Sequence, residues 1–499
     1  MTRVRAGRVS GLRTSSSRPR SSNRQFAFNA AASWAVGLFK AVMQLALLPI
    51  LARLLDPTAF GIYALALPTV LFFVMLADGG LGSSLSREDE LNTVVWSTAF
   101  WTLLGTCTAM GVGVAGSGAV LAWVSGQPSL VGIMAFLSLA MPLLAVTVLA
   151  DARLIRRGNL LFHSGADLAG SIAGAGVALV LAWQGAGAWS LAAQYVTVFA
   201  VRAATLNAAA WAPPTLEFEL ASLRDHATTG GALLVGRIGE LLGKLGENAV
   251  FGHVFGTASL GSYTLANQVS RFACDAVSNP VLGAFYAHAL HETDAAVAAL
   301  HAQLSRIVTL ILLPAMSIAA AVAPVAFPLV LGPKWAEVAP VFQAVAVPYA
   351  LAAAAWLSGQ ILLKHGMVDR SAKVILATGM LRIALVGTGL LIGPVSVAWL
   401  VGGSYVVQAL AMTFAVPQGK GAERRALVLG LLPPAGAAAA AAAAAAALLL
   451  QVPHSLPFVV SACLLGCATY AGVLVLLDGR ALRADILSLS QVLRRPAAA

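Results

Sequence analysis

The chain has 499 residues, 59% of them hydrophobic and 10% charged, with a mean hydropathy of +0.84. Soluble domains carry about a quarter charged residues, so this composition excludes an ordinary water-soluble protein. The formal net charge of +11 does not by itself imply a nucleic-acid partner, because basic excess in a membrane protein belongs first to its cytoplasmic loops.

Residues 1–25 hold Arg3, Arg5, Arg8, Arg13, Arg18, Arg20 and Arg24 among serines, with no acid. This is the composition of a disordered cytoplasmic tail that touches anionic lipid. It also fits an organellar transit peptide. Apolar runs of about 20 residues, the length that crosses a bilayer as helix, then recur to the end of the chain. They fall near 28–51, 60–77, 94–123, 130–150, 165–183, 187–206, 230–251, 260–287, 306–331, 338–363, 373–392, 396–416, 427–450 and 457–477. Short alternating strands, which a membrane barrel needs, are absent from this pattern. The run of alanines at 437–447 gives the thirteenth stretch the weakest membrane drive. After residue 477, Leu482, Ile486, Leu489 and Leu493 form a helical stripe between arginines, suited to an interfacial or a solvated helix.

With the tail inside, alternate gaps collect the cations. Arg87, then Arg153, Arg156 and Arg157, Arg224, then Lys364, Arg370 and Lys373, and then Lys420, Arg424 and Arg425 fall on one side. Arg202 and Arg306 sit at helix ends on that side, and Arg480, Arg483, Arg494 and Arg495 close the chain there. Arg53 and Lys334 alone occupy the other side. This asymmetry predicts a multi-pass protein of the cytoplasmic membrane with both termini inside.

The stretch 230–251 departs from its neighbours, because it carries Arg237, Glu240, Lys244 and Glu247. At about 100° per residue these four lie within roughly 80° of one helix face. A charge at mid-bilayer costs about 2.5–3.5 kcal/mol even on the insertion scale, so the stripe belongs against protein or water. Two readings stay open. The residues line a wet cavity, or they neutralise one another as i, i+3 and i, i+4 pairs. Asp275, four residues after Arg271, raises the same choice. Cys107, Cys274, Cys463 and Cys467 fall within predicted helices and read as packing residues rather than metal ligands or a disulfide.

The chain also repeats itself. LARLLDPTAFGIYALA at 51–66 aligns with FGHVFGTASLGSYTLA at 251–266, matching Gly61 with Gly261, Tyr63 with Tyr263, Leu65 with Leu265 and Ala66 with Ala266. The offset is 200 residues throughout, and six predicted spans separate the copies. An even number keeps both copies in one orientation. The expected fold is therefore an all-α polytopic membrane protein of about fourteen helices, with two six-helix lobes related by a parallel repeat. A C-terminal helix pair follows. In chain order this gives the tail 1–25, a lobe at 26–210, a linker at 211–229, a lobe at 230–418, the extra pair at 419–478 and an amphipathic tail at 479–499. The repeat sets Lys40 opposite Glu240 and Gln44 opposite Lys244. On the first span Asn29, Ser33, Lys40 and Gln44 share roughly 60° of helix face. Two polar-striped helices thus head the lobes across a partly cationic cavity.

The segment 53–66, with LADGGLGSSL at 76–85 and LGPKWAEVAPV at 331–341, resembles the polysaccharide flippases of the multidrug/oligosaccharidyl-lipid/polysaccharide exporter superfamily. The likeness covers roughly 28–420 and is nearest to the exopolysaccharide exporter branch. It departs where that family often reads "FPALS", since this chain has FYAHA at 285–289. The resemblance implies two six-helix lobes, alternating access, and an undecaprenyl-diphosphate-linked oligosaccharide moved from the inner to the outer leaflet. It further implies membrane lipids, a polysaccharide polymerase and chain-length or export proteins as partners.

Such a cargo is anionic at its lipid junction and hydroxylated along its glycan. Lys40, Arg237, Lys244, Arg271 and Arg382 are the cations inside predicted spans, suited to phosphate. Asn29, Gln44, Asn248, Asn267, Gln268 and Asn279 offer neutral hydrogen bonds. Glu240, Glu247 and Asp275 are the expected ion-pair or coupling carboxylates, with Glu240 or Glu247 titrating during the cycle. Asp78 reads as a cap or gate contact, Arg53 and Asp56 as braces at the outer junction, and Lys334 with Trp335 as an interfacial anchor. His288 and His291 share a helix face without a metal-site pattern. No nucleophilic triad, ATP motif or cofactor signature stands in the sequence, so an enzyme is not expected. The rival functions are a cation-coupled multidrug antiporter on the same fold, and a non-transporting membrane subunit of a polysaccharide assembly complex.

Overall fold

The computed structural model describes residues 21–494 apart from 80, 86–87, 89–91, 158, 290–291 and 417–429. It describes side chains apart from those at 21–35, 38, 83–84, 160, 224–238, 240, 284, 287, 368, 390 and 480–494. Every regular element described is a helix. The first eight are α1 (Ser21–Leu54), α2 (Pro57–Asp78), α3 (Leu81–Leu85), α4 (Thr93–Ser125), α5 (Ser129–Leu137), α6 (Ala140–Arg156), α7 (Leu160–Trp183) and α8 (Ala188–Ala210). The second set is α9 (Arg224–Ala289), α10 (Asp294–Leu331), α11 (Val338–Lys364), α12 (Val368–Gly387), α13 (Gly389–Ile392) and α14 (Pro394–Ala415). A final pair, α15 (Leu432–Leu449) and α16 (Leu456–Arg494), packs against α10 through a small apolar cluster that includes Ile318, Val322, Ala441 and Ala445.

Two expected spans lie within α9, whose 66 residues break at Gly256 (φ 81, ψ 167). Only glycine enters that backbone region without strain, so the residue marks the turn between two spans that the sequence separated at 252–259. The stretch 130–150 is two helices, α5 and α6. The stripe after residue 477 starts at a second break, Asp478 (φ −145, ψ 27), where α16 changes direction. Arg306 of α10 holds that break by an ion pair of 2.5 Å to Asp478.

Nine helices among the described residues are long and apolar enough to cross a membrane, against the fourteen stretches expected from sequence. Those outside the nine fall in 28–51, 187–206, 230–251, 260–287 and 373–392. Each of these five supplies polar side chains to the central cavity described below.

The two copies of the repeat meet face to face at the end of the bundle that holds the α1–α2 turn. A Cβ added at Gly61 would lie 1.7 Å from Thr257 O, and one at Gly261 would lie 1.9 Å from Pro57 O. Residues 57 and 257, like 61 and 261, are equivalent under the 200-residue offset. The contact is therefore reciprocal, as a two-fold relation between lobes requires, and side-chain-free positions let the backbones touch. Asn248 Nδ2 donates to Ala64 O at 2.8 Å across the same junction.

The family-like turn at 331–341 closes that end. Arg53 Nε donates to Val330 O and its Nη2 to Leu329 O, both at 2.8 Å. Lys334 Nζ reaches Arg53 O and Asp56 Oδ1, each at 3.1 Å. The bracing expected of Arg53 and Asp56 is thus made across the lobes. Trp335 departs from the expected interfacial anchor. It is fully buried, donates to Ala52 O at 2.6 Å and meets Phe60 edge-on at 5.1 Å. A ring with a single N–H to satisfy is a better plug than belt when a carbonyl waits for it.

At the opposite end of the first lobe, His163 Nδ1 hydrogen-bonds Asp151 Oδ1. Arg202 pairs with Asp151 at 3.0 Å and with Asp167 at 2.8 Å, joining α6, α7 and α8. Asp78 caps locally, its Oδ1 accepting from Gly82 N at 3.3 Å. Cys107 and Cys274 are buried, whereas Cys467 is exposed and so is no packing residue. His291 lies outside the described residues, and His288 sits 3.7 Å from Glu292.

Candidate functional site

Between the lobes lies a cavity of about 790 Å³. α1 and α2 face α9, α11, α12 and α14 across it, with α8 along one flank. Its described lining holds four cations, Lys40, Lys244, Arg271 and Arg382, against one carboxylate, Glu247.

Glu247 is the fixed point of the site. It is 1% exposed, and its Oε1 accepts from Lys244 Nζ at 2.9 Å and from Tyr263 OH at 2.7 Å. Arg382 Nε stands 3.6 Å from Oε2. Arg382 also donates through Nη1 to Gln408 Oε1 at 3.0 Å and lies over the Tyr405 ring at 5.0 Å. A buried carboxylate survives this deep only because cations and a phenol replace its lost water. Tyr263 is the repeat equivalent of Tyr63, which also faces the cavity.

The four cations therefore differ in freedom. Arg382, with 10% of its side chain exposed, is committed to Glu247 and Gln408. Lys244 is shared, since 34% of its side chain stays exposed while it pairs with Glu247. Arg271 is the most open, with 65% of its side chain exposed and Asp275 at 3.8 Å. Lys40 and Gln44 face the cavity from α1 with no polar contact among the described residues. Among the described residues one carboxylate faces four cations in this lining, and such a surplus attracts an anion.

Of the expected hydrogen-bonding residues, Gln44, Asn248, Asn267 and Gln268 line the cavity, and Asn279 does not. Asp275 does not itself line the cavity and lies 3.8 Å from Arg271, which does. The side chains of Asn29, Ser33, Arg237 and Glu240 lie outside the described residues. So does the Glu240 half of the proposed charge ladder, whereas its Lys244–Glu247 rung is formed.

Sequence reasoning missed the aromatic wall. Tyr349 meets Trp356 at 5.7 Å and Tyr405 at 5.0 Å, both edge-on, and Tyr195 and Phe199 extend the surface on α8. Gln194 and Gln408 supply amides beside it. Tyr349 and Trp356 are seven residues apart on α11, two turns of one helix face. Polar-tipped aromatics and glutamines at helical spacing inside apolar runs were the available signal.

Comparison with known proteins agrees with this architecture. Residues 50–340 match the family model described as "Polysaccharide biosynthesis protein". The chain is 28% identical over 304 residues to the succinoglycan biosynthesis transport protein ExoT of Rhizobium meliloti (strain 1021), an alignment covering 60% of this chain and 61% of that one. It is 25% identical over 333 residues to the lipopolysaccharide biosynthesis protein WzxC of Escherichia coli (strain K12), covering 65% and 67%. Among solved structures, the lipid II flippase MurJ in an inward closed conformation superposes with a TM-score of 0.70 at 10% identity, over 92% of this chain and 99% of that one. An inward-facing multidrug transporter of the MATE family gives 0.58 at 13% identity, over 80% and 99%. These two share the fold alone. A family match across more than half the chain, together with two bridged lobes around a cationic cavity, places this chain in the polysaccharide biosynthesis protein family.

Proposed function

We propose that the protein is a flippase. It translocates undecaprenyl-diphosphate-linked oligosaccharide repeat units across the cytoplasmic membrane for exopolysaccharide or other surface-polysaccharide assembly. The observation that supports this reading is the described cavity lining, with four cations, one committed carboxylate, several amides and an aromatic wall. A diphosphate junction fits the open cations, Lys40, Lys244 and Arg271, through charge-assisted contacts. Sugar rings fit the wall of Tyr349, Trp356 and Tyr405, whose flat faces and phenol tips offer stacking and hydrogen bonds together.

Alternating access follows from where the lobes are joined. The described bridges of Gly61–Gly261, Arg53, Lys334 and Trp335 gather at the Asp56 end, which the charge asymmetry assigns to the outside. On this reading these bridges form the outward gate, and cargo enters from the inner leaflet. Parting of these bridges and rocking of the lobes about the cavity then exposes it to the outer leaflet.

The test is deletion in the producing cell, with lipid-linked repeat units measured by leaflet. Loss of polymer with repeat units accumulating on the inner leaflet, restored by the parent gene and not by Lys40→Gln with Lys244→Gln, is expected. Unchanged polymer with altered drug tolerance overturns the proposal in favour of an antiporter. Unchanged leaflet distribution with lost polymer would point to an assembly subunit that moves no lipid.

A further inference from the structure

The 200-residue offset between the lobes also pairs residues that line the central cavity, and the paired positions differ in chemistry. Gln44, Leu47 and Leu71 of the first lobe stand where the second has Lys244, Glu247 and Arg271, and all six line the cavity. Among the described residues the first lobe gives this lining one charged side chain, Lys40, and the second gives four. Arg237 and Glu240, whose side chains lie outside the described residues, belong to the second lobe as well.

One pair keeps its residue type and changes its surroundings. Tyr263 OH donates to Glu247 Oε1 at 2.7 Å and is committed there. Its equivalent, Tyr63, has Leu47 at the position of that carboxylate. Tyr63 is partly buried and faces the cavity with a hydroxyl that makes no hydrogen bond among the described residues. Gln44 on α1 and Gln194 on α8 are half-buried in the same lining, also without a described side-chain hydrogen bond. A phenol and two carboxamides each donate and accept, as sugar hydroxyls do, whereas ammonium and guanidinium groups only donate. The wall of Tyr349, Trp356 and Tyr405 belongs to the second lobe, so a sugar ring stacked on it has the neutral groups of the first lobe to face.

We infer that the two lobes divide the cargo. The second holds the diphosphate, and the first contacts the hydroxyls of the adjoining sugar through Tyr63, with Gln44 and Gln194 beside it. Tyr63 is then a specificity-determining residue, because a cargo without hydroxyls there leaves the phenol unpaired. This assignment rests on the flippase reading above.

The experiment measures binding to the full-length protein in neutral detergent with two probes, undecaprenyl diphosphate and the lipid-linked repeat unit purified from the producing cell. The parent is expected to bind the glycosylated probe more tightly. Tyr63→Phe should weaken that probe about fivefold, the value of one neutral hydrogen bond, and leave undecaprenyl diphosphate bound as before. Gln194→Met, close in shape to the parent residue, should repeat this pattern. Lys244→Gln should weaken both probes alike. Melting temperature separates the repeat equivalents: Tyr263→Phe, which strips a buried donor from Glu247, should lower it, and Tyr63→Phe should not. The inference is overturned if the glycan adds nothing to the parent's affinity, or if neither Tyr63→Phe nor Gln194→Met weakens the glycosylated probe. It is equally overturned if both variants weaken the two probes to the same extent, which would put the first lobe on the diphosphate. A parent that binds neither probe overturns the flippase reading itself, and the inference with it.

Discussion

Removing the Glu247 carboxylate leaves Lys244 and Arg382 facing each other inside the protein, without the group that each contacts. Breaking a buried ion pair from one side costs about 3–5 kcal/mol. Glu247→Ala is therefore expected to lower the melting temperature and the yield of folded protein, which a thermal-shift series on purified variants would check. Lys40→Gln should behave in the opposite way, because Lys40 faces the cavity without a described polar partner. Its melting temperature should stay near that of the parent while transport of lipid-linked oligosaccharide falls at least about tenfold, the value of one charge-assisted contact to phosphate. The contrast separates the cation proposed to meet cargo from the carboxylate that holds Lys244 and Arg382. If Lys40→Gln transported normally, the cationic lining would have no part in binding.

The elements meet where side chains have been dispensed with. Gly61 and Gly261 let α2 and α9 touch backbone to backbone, so Gly61→Ala places a methyl where Thr257 O already stands. Overpacking of this kind costs about 1–3 kcal/mol. Since it acts at the bridged end, the variant is expected to part the lobes there. An increase in labelling by an impermeant thiol reagent, at a cysteine introduced at Phe60 with the four native cysteines replaced, would report it. Gly256→Ala addresses the turn within α9. Its φ of 81° with ψ of 167° is essentially glycine-only, and forcing another residue there costs about 1–3 kcal/mol. A lower melting temperature is expected, without the gain in outer labelling.

Over the whole molecule, the latch of Arg53, Asp56, Lys334 and Trp335 bridges the lobes at a single end. Arg53→Ala removes two hydrogen bonds to the last carbonyls of α10. With Lys334→Ala it should shift the population toward the outward-open state. Labelling at position 60 from outside should rise further than in either single variant, because the contacts share one junction and couple. Equal labelling in parent and double variant would mean that the Gly61–Gly261 contact and the buried Trp335 keep this end shut without the polar bridges.

Much of this architecture is legible in the chain itself. The repeat at 51–66 and 251–266, the charge asymmetry of the loops and the polar stripe on 230–251 depend on local periodicity and composition. Spacing alone therefore yielded the two lobes, the rung between Lys244 and Glu247, and the pairing of Arg271 with Asp275. Spacing could not say that Gly61 and Gly261, matched as equivalents, also touch each other. Nor could it say that Trp335 is a buried plug or that Arg382 is already committed to Glu247. Those outcomes depend on contacts between residues far apart in the chain, such as 335 with 52 and 382 with 247. The sequence by itself determined which helix faces are polar; only the tertiary structure decided which of those polar groups consume one another and which remain open to the cavity.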